Sequence, residues 1–161
     1  PKVKLMAYTT YIRPTLEYAA SVLWDPYRKN QIGELEKVQR KAARFILSKY
    51  KRLDSVTDML NSLNLPLLSV GRKIARLKLF FMFSHHLYNI NPDSRLTHRA
   101  SRELRYVSTN QFEVPTCNID AYRFSFFPRT VKNWNDLPQN ILSLDCLDDF
   151  ESALLNMTGL E

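Results

Sequence analysis

The sequence predicts a mainly α-helical fold, a bundle of about five to six helices with an irregular, weakly β segment near residues 89–120. Three observations lead there. Only three glycines occur in 161 residues, well under the usual share of about 7%, which disfavours β-barrels, hairpin arrays and Gly-rich phosphate loops. Apolar residues make up 45%, enough for a core and too many for simple disorder. Through most of the chain the apolar positions recur at intervals of three and four, the period of an amphipathic helix.

The first helical segment spans 3–24, with Tyr8, Tyr11, Ile12, Leu16, Ala19, Ala20 and Leu23 on its pattern. Pro14 interrupts it, and so predicts either a kink or a second helix with Pro14 in its first turn. Asp25-Pro26-Tyr27 ends the segment as a turn. Residues 29–49 form the clearest helix. Ile32, Leu35, Val38, Ala42, Phe45 and Ile46 define an apolar face, and Lys37, Arg40, Lys41 and Arg44 fall opposite within about a 100° arc. Asp54 or Ser55 is placed to cap a short helix running to Leu63, and Pro66 breaks the chain after it.

Residues 68–88 give a further helix with Val70, Ile74, Leu77, Phe81 and Tyr88 on one stripe. Its first half carries Arg72, Lys73, Arg76 and Lys78. Its second half, Leu79-Phe80-Phe81-Met82-Phe83, is apolar nearly all round and reads as buried on several sides. Residues 89–116 lack helical periodicity. Arg95, Arg99, Arg102 and Arg105 cluster there with His98, and short alternating runs in 103–115 suggest one or two weak strands. A helix begins near Ser125 or Phe127, just before Pro128, with Trp134 inward, and Leu137-Pro138 ends it. The last helix runs from Leu147 to Met157 with Asp145 as its cap and Leu147, Phe150 and Leu154 facing the core. The expected organisation is a helical subdomain over 1–88, a basic loop or linker over 89–120, and a C-terminal helical segment over 121–161 packing on the first.

Charge is distributed unevenly. The chain holds 23 Lys and Arg against 16 Asp and Glu, a net +7. All the basic residues lie in 1–132, whereas 133–161 contains acidic side chains only. A basic field over most of a chain attracts polyanions, either nucleic acid or an anionic membrane surface, although a solvated basic surface alone has the same composition. The two cysteines, Cys117 and Cys146, have no metal-ligand spacing and fit a reducing, intracellular setting. No apolar run approaches the roughly twenty residues that span a bilayer; a membrane-surface helix is the rival reading of 68–88, but Met82 and the phenylalanines beside it read as core, so no membrane partner is expected. The chain starts at Pro1, in what reads as mid-helix, and so reads as a piece of a longer protein.

Catalytic signatures are missing. There is no phosphate-binding Gly loop, no nucleophile elbow and no H-E-x-x-H helix. His85 and His86 are adjacent, about 100° apart on a helix, and cannot chelate one metal together. Asp148-Asp149 suits the positive end of a helix dipole. No catalytic residue, metal ligand or cofactor is expected in this chain, which reads as a basic helical binding module.

Three stretches carry a family resemblance. Tyr11-Ile12-Arg13-Pro14-Thr15-Leu16-Glu17-Tyr18-Ala19-Ala20 with Trp24-Asp25-Pro26, then Leu35-Glu36-Lys37-Val38-Gln39-Arg40-Lys41-Ala42-Ala43-Arg44, then Phe126-Phe127-Pro128-Arg129-Thr130-Val131 with Trp134-Asn135 and Leu137-Pro138 stand in order. Together they resemble the region beyond the palm of LINE-type (non-LTR), Jockey-like retrotransposon reverse transcriptases. The resemblance implies the thumb and C-terminal region of such a polymerase. It implies an RNA template and a DNA primer, as an RNA–DNA hybrid, for partners, together with the palm and fingers of the parent chain. It implies a location in the cytoplasm and nucleus. The family's catalytic carboxylates belong to the palm, so this chain alone is not expected to be an enzyme.

A thumb grips a duplex by its backbone, which requires cations on a rigid helix. Lys37, Arg40, Lys41 and Arg44 have that arrangement, and Arg123, Arg129 and Lys132 form a second candidate group. The competing expectation is a protein-interaction or scaffold module derived from a retrotransposon that binds no nucleic acid.

Overall fold

The structure is a computed structural model and describes residues 1–18, 25–88, 96–99 and 110–158. It is mainly helical, as the sequence predicts, and contains no strand among the described residues. The elements are α1 (Lys2–Ala7), a π-helical turn (Tyr8–Ile12), α2 (Arg13–Glu17), α3 (Lys29–Leu47), α4 (Val56–Ser62) and α5 (Leu68–Ser84). After these come α6 (Asp120–Arg123), α7 (Phe126–Asn135), α8 (Gln139–Leu142) and α9 (Leu147–Thr158). Tertiary contacts divide the chain within α5 into two compact units, Pro1–Lys73 and Ile74–Glu161.

The first unit starts with a helix that Pro14 remodels. Proline has no N–H to give the carbonyl four residues back, and its ring crowds that carbonyl. The preceding turn widens in response: the Arg13 N–H reaches the Tyr8 carbonyl, five residues back, and Pro14 opens α2 in its first turn. Tyr8 is thereby buried, while Tyr11 and Ile12, expected on the same inward face, are exposed. Ala19, Ala20 and Leu23 lie outside the described residues.

Tyr8 packs with Ala43 and Ile46 of α3, Met59 and Leu60 of α4, and Leu65. Ser55 caps α4, its hydroxyl accepting from the Asp58 N–H at 3.3 Å. Ser48 ends α3 in the left-handed region (φ 53°), where the Lys49 N–H returns to the Arg44 carbonyl.

The inward face of α3 differs from the expected one. Buried there are Glu36, Gln39, Ala43 and Ile46, whereas Val38 and Phe45 are exposed. Hydrogen bonds explain the rotation. The Tyr8 hydroxyl donates to Gln39 Oε1 (3.2 Å), Gln39 Nε2 donates to the Pro66 carbonyl (2.9 Å), and the Ser69 N–H donates to Glu36 Oε1 (2.9 Å). Polar side chains that find partners inside can be buried, and these three bonds tie α3 to the segments on either side of it.

The second unit is an aromatic core. Phe80 and Phe81 of α5, Trp134 of α7 and Phe150 of α9 are all essentially inaccessible. Phe81 stacks on Phe150 with ring centroids 4.7 Å apart, and Trp134 lies 5.0 Å from Phe80. The buried second half of α5 is thus as the sequence predicts, although the helix stops at Ser84 and leaves Tyr88 exposed.

Of the strands suggested for 103–115, residues 103–109 lie outside the described residues, and the rest forms only an isolated antiparallel bridge between His98 and Phe112. The Phe112 backbone is held by a side chain instead: its N–H donates to Asn135 Oδ1 (3.1 Å) and its carbonyl accepts from Asn135 Nδ2 (2.8 Å). The short α6 and α8 did not show in the sequence pattern.

Candidate nucleic-acid interface

Among the described residues, α3 carries four cations on one side. Buried Gln39 and Ala43 fix the helix from beneath, and the four cations lie on the other side: Lys37, Arg40 and Lys41 are exposed and Arg44 is half-buried. Their spacing places them within about a 100° arc, so the structure leaves open to solvent the ridge expected from the sequence. Among the described residues, the ion pair seen on it is that of Lys37 with Glu34. Lys37 Nζ lies 2.6 Å from Glu34 Oε1, an exposed pair one turn apart, of a kind that contributes little and exchanges readily. Arg44 Nη1 donates to the Lys51 carbonyl at 3.3 Å, folding the exposed Lys49–Arg52 stretch back against the last turn.

Lys4, which nothing in the linear pattern marked, joins the same end of α3. Its Nζ stands 3.1 Å from the Phe45 carbonyl and 3.3 Å from Ser48 Oγ, and 4.3 Å from the centre of the Phe45 ring. It meets carbonyls at the negative end of the helix dipole. The signal that could have found it is the unsatisfied C-terminal carbonyls of α3, which need a donor from elsewhere.

Arg13 and Arg72 of this unit are structural. Arg13 Nε pairs with Glu17 Oε1 at 3.1 Å, and Gly71 lets α5 come close to that pair: a Cβ there would lie 2.9 Å from Glu17 Oε1. Arg72 is fully enclosed, its Nε 3.1 Å from Asp25 Oδ1. Burial lowers its pKa, and the carboxylates of Glu36 and Glu17 oppose that fall.

The second candidate group belongs to the second unit, and its members have different surroundings. Arg123 is exposed and pairs with Asp120 at 3.2 Å within α6. Lys132 is exposed on α7. Arg129 is half-buried on α7. Its charge acts on Arg76, whose guanidinium donates to Asn133 Oδ1 at 3.1 Å. Burial first, and Arg129 second, push the Arg76 pKa down to about 9. Lys78 is paired with Glu151 at 2.5 Å, so part of the acidic C-terminal stretch neutralises a lysine of α5. Of the Arg-rich loop, Arg99 is exposed near Gln111, and Arg95, Arg102 and Arg105 lie outside the described residues.

Among the described residues no group of three His, Cys, Asp or Glu side chains is placed to hold a metal ion, and no helix is long and apolar enough to cross a membrane. His85 is occupied, its ring stacked 3.9 Å from that of Phe81 and its Nδ1 2.9 Å from the Phe81 carbonyl.

Comparison with known proteins finds no match, either to a protein-family model, to a curated protein or to a solved structure.

Proposed function

We propose that this chain is the non-catalytic C-terminal region, thumb and beyond, of a LINE-type, Jockey-like retrotransposon RNA-directed DNA polymerase, and that α3 grips the template–primer duplex. The observation that carries the proposal is the ridge itself. Lys37, Arg40, Lys41 and Arg44 share one side of a helix whose other side is anchored by Glu36, Gln39, Ala43 and Ile46. A rigid row of cations at helical spacing contacts phosphates without reading bases, as a sliding polymerase requires. Chemistry would belong to the palm, and the partners would be an RNA–DNA hybrid together with the palm and fingers, in the cytoplasm and nucleus.

Four phosphate contacts give a slope of log K against log salt of roughly −3 to −4. The test is titration of a labelled RNA–DNA hybrid at several salt concentrations with the full chain and with K37Q/R40Q/K41Q/R44Q, checking by circular dichroism that the helix content is unchanged. A slope near zero in the variant is the expected result. An unchanged slope removes α3 as the grip.

One observation favours a scaffold reading: Val3, Met6 and Tyr11 are exposed along the first helical segment, and large apolar side chains left in solvent are what protein contacts cover. A scaffold without a nucleic-acid role would leave the hybrid unbound at physiological salt.

A further inference from the structure

The cationic ridge of α3 is bordered by exposed ring surface that a duplex grip does not need. Phe45 is 55% exposed and Val38 39% exposed. Lys41 stands three residues after Val38 and four before Phe45, so the three share one strip of helix surface. Lys4 lies over the Phe45 ring while bonding the Phe45 carbonyl and Ser48 Oγ, which fixes the ring with more than half of its residue surface open.

Past the left-handed Ser48 the chain turns back, held by the Arg44–Lys51 hydrogen bond. That turn brings Tyr50, 65% exposed, to the same end of the helix. Two exposed aromatic rings therefore stand among Lys41, Arg44, Lys49 and Lys51.

A duplex presents phosphates outward and keeps its bases stacked within, so exposed rings gain nothing from it. Unpaired bases have free faces. Cations that track a backbone, interleaved with rings on which bases stack, are the recurring arrangement for single strands. We propose that the C-terminal end of α3 and the 48–52 turn bind unpaired nucleotides, with Phe45 and Tyr50 as stacking platforms and Lys41 and Arg44 on the phosphates. The ligand is a single-stranded stretch such as template lying outside the duplex. This rests on the nucleic-acid reading above and adds to it a place for unpaired nucleotides at the C-terminal end of the ridge.

The experiment measures binding of a labelled oligothymidylate and of a blunt RNA–DNA hybrid by fluorescence anisotropy. It uses the full chain, F45L, Y50L, F45W and the quadruple glutamine variant. Phe45 and Tyr50 are exposed, so leucine there leaves the core intact, and F45W retains a stacking ring. F45L and Y50L are each expected to weaken oligothymidylate binding by about tenfold, with the hybrid changed less than twofold and F45W binding oligothymidylate like the unaltered chain.

Equal loss for both ligands overturns the proposal, as does unaltered oligothymidylate affinity in F45L and Y50L. If the quadruple variant still loses the hybrid in that case, the duplex grip stands and only the single-strand site falls. If the unaltered chain binds neither ligand, both fall.

Discussion

Raising the pH through the titration of Tyr8 should loosen the contact between the π-helical turn and α3 by an amount that the structure specifies. Tyr8 is 2% exposed, and its hydroxyl donates to Gln39 Oε1 at 3.2 Å. Burial, opposed by Arg13 and reinforced by Glu17 and Glu36, pushes its pKa from 10.0 up to about 12. The folded state therefore keeps this proton where the unfolded chain has lost it. The contribution of Tyr8 is intact below about pH 10 and disappears as the pH climbs towards 12. Two pK units correspond to about 2.7 kcal/mol of stability.

In Y8F that loss is absent. At neutral pH the variant is less stable, by about 1–2 kcal/mol, because Gln39 Oε1 is left without its donor. Arg76, held down to about 9, has the opposite slope: the unfolded chain binds more protons above that value, so stability rises with pH. Arg76 is common to both proteins and cancels in the difference. Urea denaturation followed by circular dichroism from about pH 8 to about pH 12 should show wild type losing about 2–3 kcal/mol relative to Y8F, so that the initially less stable Y8F meets and then passes it. Difference absorbance should assign one tyrosinate of high pKa to position 8. Parallel curves would refute the burial of Tyr8 against α3.

Other substitutions probe the two cores. R72M removes a partner of the largely enclosed Asp25 side chain and should lower the unfolding free energy by about 3–5 kcal/mol, measured by urea titration. W134A opens a cavity among Phe80, Phe81 and Phe150 and deprives the Asn110 carbonyl of its 2.8 Å donor. A loss of about 3–5 kcal/mol is expected, with disappearance of the near-ultraviolet aromatic signal. S55A deletes the α4 cap and should lower the melting midpoint through a loss of about 1 kcal/mol, with S55D restoring most of it.

Much of the fold was legible in one dimension because helices announce themselves locally. The extents of α3 and α7 and the inward Trp134 follow from spacing and from residues within one turn; for Pro14 the first-turn placement, and for the α4 cap Ser55, is one of the two alternatives the sequence leaves. What was not legible depended on distant partners. Tyr11 and Ile12 belong to the same periodic pattern as Tyr8, yet the π-helical turn before Pro14 rotates them outward. The 103–115 stretch reads as strand-like because it contains alternating runs, but in its described part the amide of Asn135 on α7 satisfies the Phe112 backbone. The four cations of α3 were visible as an arc, whereas Lys4 joined them only through tertiary contact.

The sequence alone determined that this protein is helical and where most of its helices start and stop. It also determined that α3 has a cationic side, because backbone capping, proline geometry and the 3.6-residue period are all local. Only the tertiary structure decided which side of α3 is buried. Hydrophobicity pointed to Val38 and Phe45, but Tyr8, Pro66 and Ser69 offer hydrogen bonds to Gln39 and Glu36, and a buried polar group with a partner costs far less than one without. That rotation leaves Phe45 in solvent beside Lys41 and keeps Lys37 and Arg40 free of the core.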